Sequence, residues 1–256
     1  MYKNNIIRTC LSLVFWFFGL MLIVGNVTAQ QSGIITYYKK YHWSNIATKM
    51  PFLSTEEKDR ILLTWGESDE TYKGEPYLLT FNEEGSVYKA GEKEENHGYS
   101  WGEDEDIFIR FSADRTTRDN RELLGKLWLI EDDIPRYKWK MLNEMKEVAG
   151  YLCMKAEAKD TVLDITITAW YTDKIKVVSG PEGFSGLPGL ILALQYNGDD
   201  VTIEASKVEL TDVDKLPLPE KVKGKKTTYE DYNARRKKHI TLSIAGKRNP
   251  FWEIRY

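Results

Sequence analysis

Cysteine is nearly missing from this chain: Cys10 and Cys153 are the two among 256 residues. Cys10 falls inside the apolar run "LSLVFWFFGLMLIVG", which follows Lys3 and Arg8 and leads into "NVTAQ". A positive start, an apolar core and small residues at Val27 and Ala29 predict a secretory signal peptide over 1–29. A retained membrane helix is the competing reading, since about twenty apolar residues span a bilayer. Lipid anchoring through Cys10 is not expected, because it precedes most of the apolar core. Cleavage leaves Cys153 as a single thiol, which excludes an internal disulfide, so the mature fold must stand on its core.

Histidine is equally scarce. His42, His97 and His239 are scattered and show no ligand spacing, so no zinc site is expected. Basic excess is also absent, with 36 Lys and Arg against 39 Asp and Glu. That balance argues against broad nucleic-acid binding. No second long apolar run follows the first, so no membrane span is expected after cleavage. No phosphate loop, dinucleotide loop or nucleophile elbow is complete, and no cofactor is expected. The acidic stretch Trp101–Asp106 lacks the spacing of a calcium loop and reads as a solvated loop.

What is present is alternation. "LDITITAWYT" puts Leu163, Ile165, Ile167, Ala169 and Tyr171 on one face, and Thr166, Thr168 and Trp170 on the other. "DIFIRF" separates Ile107, Ile109 and Phe111 from Phe108 and Arg110, and "VTIEAS" repeats the pattern. Period two with β-branched and aromatic residues marks half-buried strands. Further strands are expected at Ile34–His42, Arg60–Trp65, Tyr77–Phe81, Val87–Ala90, Leu124–Ile130, Tyr137–Leu142 and Val148–Glu157. "NEEGS" and the Asn-Gly pair of "YNGDD" read as hairpin turns. Many strands on short turns predict a mainly β, antiparallel protein.

Helical signals are few. Ser54 and Glu57 form a capping box over the short Ser54–Arg60, and Thr227 and Glu230 open a helix over Thr227–His239. The tail "NPFWEIRY" is expected to pack as an edge segment. The expected organisation is a signal peptide (1–29), a β domain (30–213), and a linker, helix and tail (214–256).

"GPEGFSGLPGLILAL" (Gly180–Leu194) reads as a glycine- and proline-shaped loop entering a strand. Leu190, Leu192, Leu194 and Tyr196 would share one face of that strand. The loop either feeds a core strand or lines a ligand surface. Its hexapeptide Gly186–Ile191 resembles the signature of the GLPGLI family, secreted proteins of Bacteroidota. "GYLCMKA" (Gly150–Ala156) and "AWYT" (Ala169–Thr172) strengthen the resemblance, as do Trp139, Ile175, Pro181 and Phe184. The resemblance implies a curved antiparallel sheet or half-barrel, here with a short C-terminal helix, and no agreed activity.

The candidate binding residues are Trp170, Tyr171, Phe184, Gly186, Leu187, Pro188 and Gly189. Glycine and proline would set the loop, and the aromatics would make contact. Cys153 is either a buried small apolar residue or, with Lys155 two positions away, an activated thiol. The expected function is a non-catalytic binding module, periplasmic or secreted, for an apolar or peptide-like ligand. The alternatives are an interaction or assembly factor with an envelope protein partner, docking through the basic linker and helix, and a thiol enzyme.

Overall fold

The computed structural model describes residues 31–92, 106–254 and 256. The expected signal peptide with Cys10, His97, and residues 101–105 of the acidic stretch lie outside the described residues. Twelve strands form one sheet. The first six are β1 (Gly33–Tyr41), β2 (Glu75–Phe81), β3 (Gly85–Ala90), β4 (Ile107–Phe111), β5 (Thr116–Leu123) and β6 (Lys126–Asp133). The rest are β7 (Lys140–Val148), β8 (Tyr151–Asp160), β9 (Ile165–Thr172), β10 (Leu190–Tyr196), β11 (Val201–Leu210) and β12 (Lys225–Thr227). Their order across the sheet is β12-β6-β5-β4-β3-β2-β1-β11-β10-β9-β8-β7. Every pairing is antiparallel except the short parallel contact of β12 with β6. The sheet is thus two meanders, β1–β6 and β7–β11, joined where β1 meets β11, and it is not closed into a barrel.

Alternation sets the faces. Ile35, Tyr37 and Lys39 of β1 point the same way as Tyr77, Leu79 and Phe81 of β2 and Tyr88 of β3. Phe108 and Arg110 of β4 continue that inner face. Val87, Ile109 and Leu216 form a small separate cluster on the outside. The inner cluster extends through Ile167, Ala169, Leu194 and Ile203 and includes Tyr232, Phe251, Ile254 and Tyr256.

The C-terminal part lies on this inner face. The helices among the described residues are α1 (Trp43–Thr48), α2 (Thr55–Thr71) and α3 (Tyr229–Ala245). The Tyr229 hydroxyl donates to Asp119 on β5, and the Tyr232 hydroxyl to the Glu122 carbonyl oxygen. The tail then turns at Pro250–Trp252, and the Tyr256 hydroxyl donates to Asp200 beyond β10. Helix and tail therefore strap the inner face from β5 across to the β10–β11 turn. No helix among the described residues is long and apolar enough to cross a membrane.

Several expectations needed correction. The expected strand Arg60–Trp65 is helical: α2 runs unbroken from the Ser54–Glu57 capping box, where both reciprocal bonds form. Nothing between Thr55 and Thr71 breaks it, and it stays largely exposed, with Leu63 at 87%. The expected strand Leu124–Ile130 begins only at Lys126, because Leu124 and Gly125 take positive φ in the β5–β6 turn. Ala149 and Gly150 make the same kind of turn, so β7 ends at Val148 and β8 starts at Tyr151. Paired positive φ matches the twist of the flanking strands. β5 and β12 were not foreseen. The cap of α3 is Thr228, whose side chain accepts from Asp231 N–H, rather than Thr227. The tail forms a 3-10 turn at Pro250–Trp252, with Pro250 and Phe251 buried and Trp252 exposed. Asp106, read as part of a solvated loop, is buried and ion-paired with Arg121. A bulge after Ile191 breaks the alternation of β10, so Ile191 and Leu194 share a face.

Candidate functional site

The loop before β10 is built from residues that tolerate unusual backbone. Glu182 has φ +52° and Gly183 φ +71°, which turns the Glu182 carboxylate inward. A Cβ on Gly183 would sit 1.8 Å from Arg110 Nη2, so the glycine makes room for a guanidinium. Arg110 Nε donates to the Gly183 carbonyl oxygen at 3.1 Å. Gly189 has φ +151°, and a Cβ there would lie 2.0 Å from the Thr172 carbonyl oxygen. Phe184 stacks on Tyr137 at 4.5 Å, and Trp139 Nε1 donates to the Ser185 carbonyl oxygen at 2.8 Å. Phe184, Leu187 and Gly189 are buried, whereas Gly186 and Pro188 are exposed.

Beneath this loop lies a cluster of charged and phenolic groups. Lys39 Nζ bonds the Glu182 carboxylate, which also accepts from the Tyr196 hydroxyl. Lys39 sits 4.9 Å from the Tyr41 ring centre and 5.8 Å from that of Tyr77. Arg110 bonds Asp119 and Thr117, and its Nη2 donates to the Tyr229 hydroxyl oxygen at 3.1 Å. Arg121 is held between the rings of Phe108 (4.9 Å) and Tyr232 (5.2 Å), with Nε on Asp106 at 3.2 Å. Arg236, one turn beyond Tyr232 on α3, is also buried. The Tyr88 hydroxyl is buried and has no hydrogen-bond partner among the described residues.

Burial and pairing compete over these groups. Burial pushes the Lys39 ammonium down, but Glu182 overrides it and holds the pKa above the usual value. Burial pushes Glu182 up, and Lys39 with Tyr196 brings it below the usual carboxylate value. Burial raises the Tyr88, Tyr137, Tyr196 and Tyr229 hydroxyls, that of Tyr137 to about 12. General acid–base work needs a group that titrates near the working pH. Lys39, Glu182 and these tyrosines are instead locked in one protonation state. The arrangement suits recognition by fixed charge and hydroxyl donors. Among the described residues, no group of His, Cys, Asp and Glu is placed to hold a metal ion.

The residues singled out from sequence are divided by the fold. Phe184 borders the cluster, 6.1 Å from the Tyr196 ring. Tyr171 is buried beside Met141, with its hydroxyl 3.5 Å from the sulfur. Trp170 points to the opposite face of β9, flanked by Lys146 at 5.1 Å and Lys155 at 5.8 Å, and bonds Gln195. Cys153 is fully buried, its thiol pushed up to about 11 by burial, and neither His42 nor His239 bonds it. Sequence reasoning missed Lys39, Arg110, Asp119, Arg121, Glu182 and Arg236. A signal existed for Lys39, which shares the apolar face of Ile35 and Tyr37, and for Arg236, at helical spacing from Tyr229 and Tyr232. The polar run "TTRDNREL" that carries Asp119 and Arg121 gave none.

Residues 157–193 match a family described as "Protein of unknown function (Porph_ging)". No curated protein matches the chain. Among solved structures, PNGF-II in space group P21 is similar, with TM-score 0.51 and 18% identity over 80% of this chain. PNGF-II in space group C2 gives a TM-score of 0.48 at 16% identity, covering 80% of this chain and 32% of that one. This chain spans about a third of PNGF-II, 34% in the P21 crystal, and at such identity the likeness concerns the fold.

Proposed function

We propose that this protein is a non-catalytic binding module of the cell envelope, secreted after loss of residues 1–29, and a member of the GLPGLI family. The matched stretch 157–193 contains the hexapeptide Gly186–Ile191, which supports the family reading. The observation that carries the binding reading is the Tyr88 hydroxyl, buried and, among the described residues, unpartnered beside fixed charges. A buried hydroxyl without a partner costs roughly 1–3 kcal/mol, and a bound acceptor would remove that cost. A peptide-like ligand fits this polar interior better than an apolar one. Native mass spectrometry of protein purified gently from the envelope tests the reading. An added mass lost on denaturation supports it, and a bare monomer counts against it.

One feature favours the second reading, an interaction factor. A groove of about 340 Å³ beside α3 has an apolar floor of Leu123, Leu124 and Trp128 under Lys126, Arg235 and Lys238. Arg235 lies 4.6 Å from the Trp128 ring centre. A basic rim beside the exposed Leu124 and Leu242 suits an acidic protein partner, and a stable co-purifying protein would favour this reading.

A further inference from the structure

We infer that Arg236 of α3 and Arg121 of β5 bind the carboxylate of an acidic, peptide-like ligand through their guanidinium groups. The inference rests on the binding-module reading and specifies its ligand.

Arg236 is 7% exposed, and among the described residues it has no hydrogen-bond or ion-pair partner. A buried guanidinium without a counter-charge is costly, so proteins pair such groups or leave them for a ligand. The other buried cations of the inner face are matched one to one. Lys39 has Glu182, Arg110 has Asp119, and Arg121 has Asp106. Arg236 is the unmatched one. Asp160 is a carboxylate within its field, but it caps the Val162 and Leu163 N–H groups at 2.7 and 3.0 Å and forms no ion pair with Arg236.

The second guanidinium is nearby and half-used. Arg121 engages Asp106 through Nε, and its terminal nitrogens have no partner among the described residues. The Phe108 and Tyr232 rings hold its plane. Tyr232 and Arg236 are four residues apart on α3 and so share a face, which brings both cations to Tyr232. Burial, and then the like charge of Arg121, hold Arg236 below the usual arginine range. An oxyanion between them would relieve that repulsion, and the planar fork of arginine matches a carboxylate in two-point contact.

The test uses protein prepared as for mass spectrometry. Thermal unfolding is followed in glutarate, in inorganic phosphate and in chloride at equal ionic strength. Glutarate should raise the midpoint logarithmically once its concentration exceeds Kd, by about 3–5 °C for each further tenfold. Arg236→Met should raise the midpoint in chloride, because it removes an unpaired buried charge, and should abolish the glutarate response. Arg236→Lys keeps the charge but loses the fork, and should bind glutarate about tenfold more weakly. A wild-type protein indifferent to glutarate overturns the inference. So does an Arg236→Met variant that still responds or that is less stable in chloride. A response to phosphate alone overturns the carboxylate assignment. A neutral ligand found by mass spectrometry would sink this inference while leaving the binding module standing.

Discussion

Removing one member of the Lys39–Glu182 pair should be far worse than removing both. The two side chains are almost wholly buried, and the pair joins β1 to the loop before β10. Glu182→Gln keeps the shape and a contact for Tyr196, but leaves the Lys39 ammonium facing the Tyr41 and Tyr77 rings without an anion. Breaking a buried pair from one side costs about 3–5 kcal/mol. Lys39→Met should cost a similar amount at pH 7. The double variant Lys39→Met with Glu182→Gln loses both charges, and its main cost is a buried amide short of partners, about 1–3 kcal/mol. The pH dependence gives an independent check. In the wild type the folded pKa of Glu182 lies below its unfolded value, about 4.3. Its contribution is therefore complete above that value and is lost as pH falls through the folded pKa. In Lys39→Met, burial acts on Glu182 without the cation, so its folded pKa should rise above the unfolded one. That variant should recover relative to wild type between about pH 7 and 5. Urea unfolding followed by tryptophan fluorescence measures all four proteins. Additive single costs, or a Glu182→Gln cost under about 1 kcal/mol, would refute the reasoning.

Gly189→Ala should destabilise by at least about 2 kcal/mol, since its Cβ would meet the Thr172 carbonyl oxygen at 2.0 Å. Gly150→Ala, also at positive φ but with open space around it, should cost nearer 1 kcal/mol in the same denaturation assay. Cys153 should react with iodoacetamide only after unfolding, because its thiol is buried and pushed up to about 11; rapid native labelling would revive the thiol-enzyme reading. Tyr256→Phe should cost about 1.5–3 kcal/mol by losing the bond to Asp200, and should speed amide exchange at Asn197–Val201; unchanged exchange would mean the tail does not hold that turn.

The β architecture was legible because each apolar strand carries its own period. β9 and β4 have the expected faces, and the Asn197–Gly198 turn is where the residue pair predicted it. What escaped was decided by partners remote in sequence. β5 reads as polar, yet Asp119 and Thr117 are buried because Arg110 and Tyr229 meet them from β4 and α3. Glu182 looked like one loop residue among glycines. Only the fold brings Lys39 to it, 143 positions away in the chain. The bulge in β10 was equally invisible, and the Tyr37 hydroxyl bonds the Ile191 carbonyl oxygen at that irregularity. Trp170 and Tyr171 face opposite ways, as the alternation of "LDITITAWYT" predicts, so the two candidate contact residues do not line one surface.

The junction of β1 with β11 has a consequence for how the chain folds. Within each meander every strand pairs with its neighbour in sequence, so each array can assemble from short-range hairpins. The junction instead closes a loop from Gly33 to Leu210, and contacts of that span form slowly because closure entropy comes first. Lys39 with Glu182, Arg110 with Gly183, and Ser86 with Ser179 all cross between the two arrays. Until they meet, Lys39 and Glu182 remain hydrated and the arrays expose their apolar edges. Closure of this junction is thus the expected slow step, and the interval before it is when the chain is most open to aggregation or to capture by a chaperone.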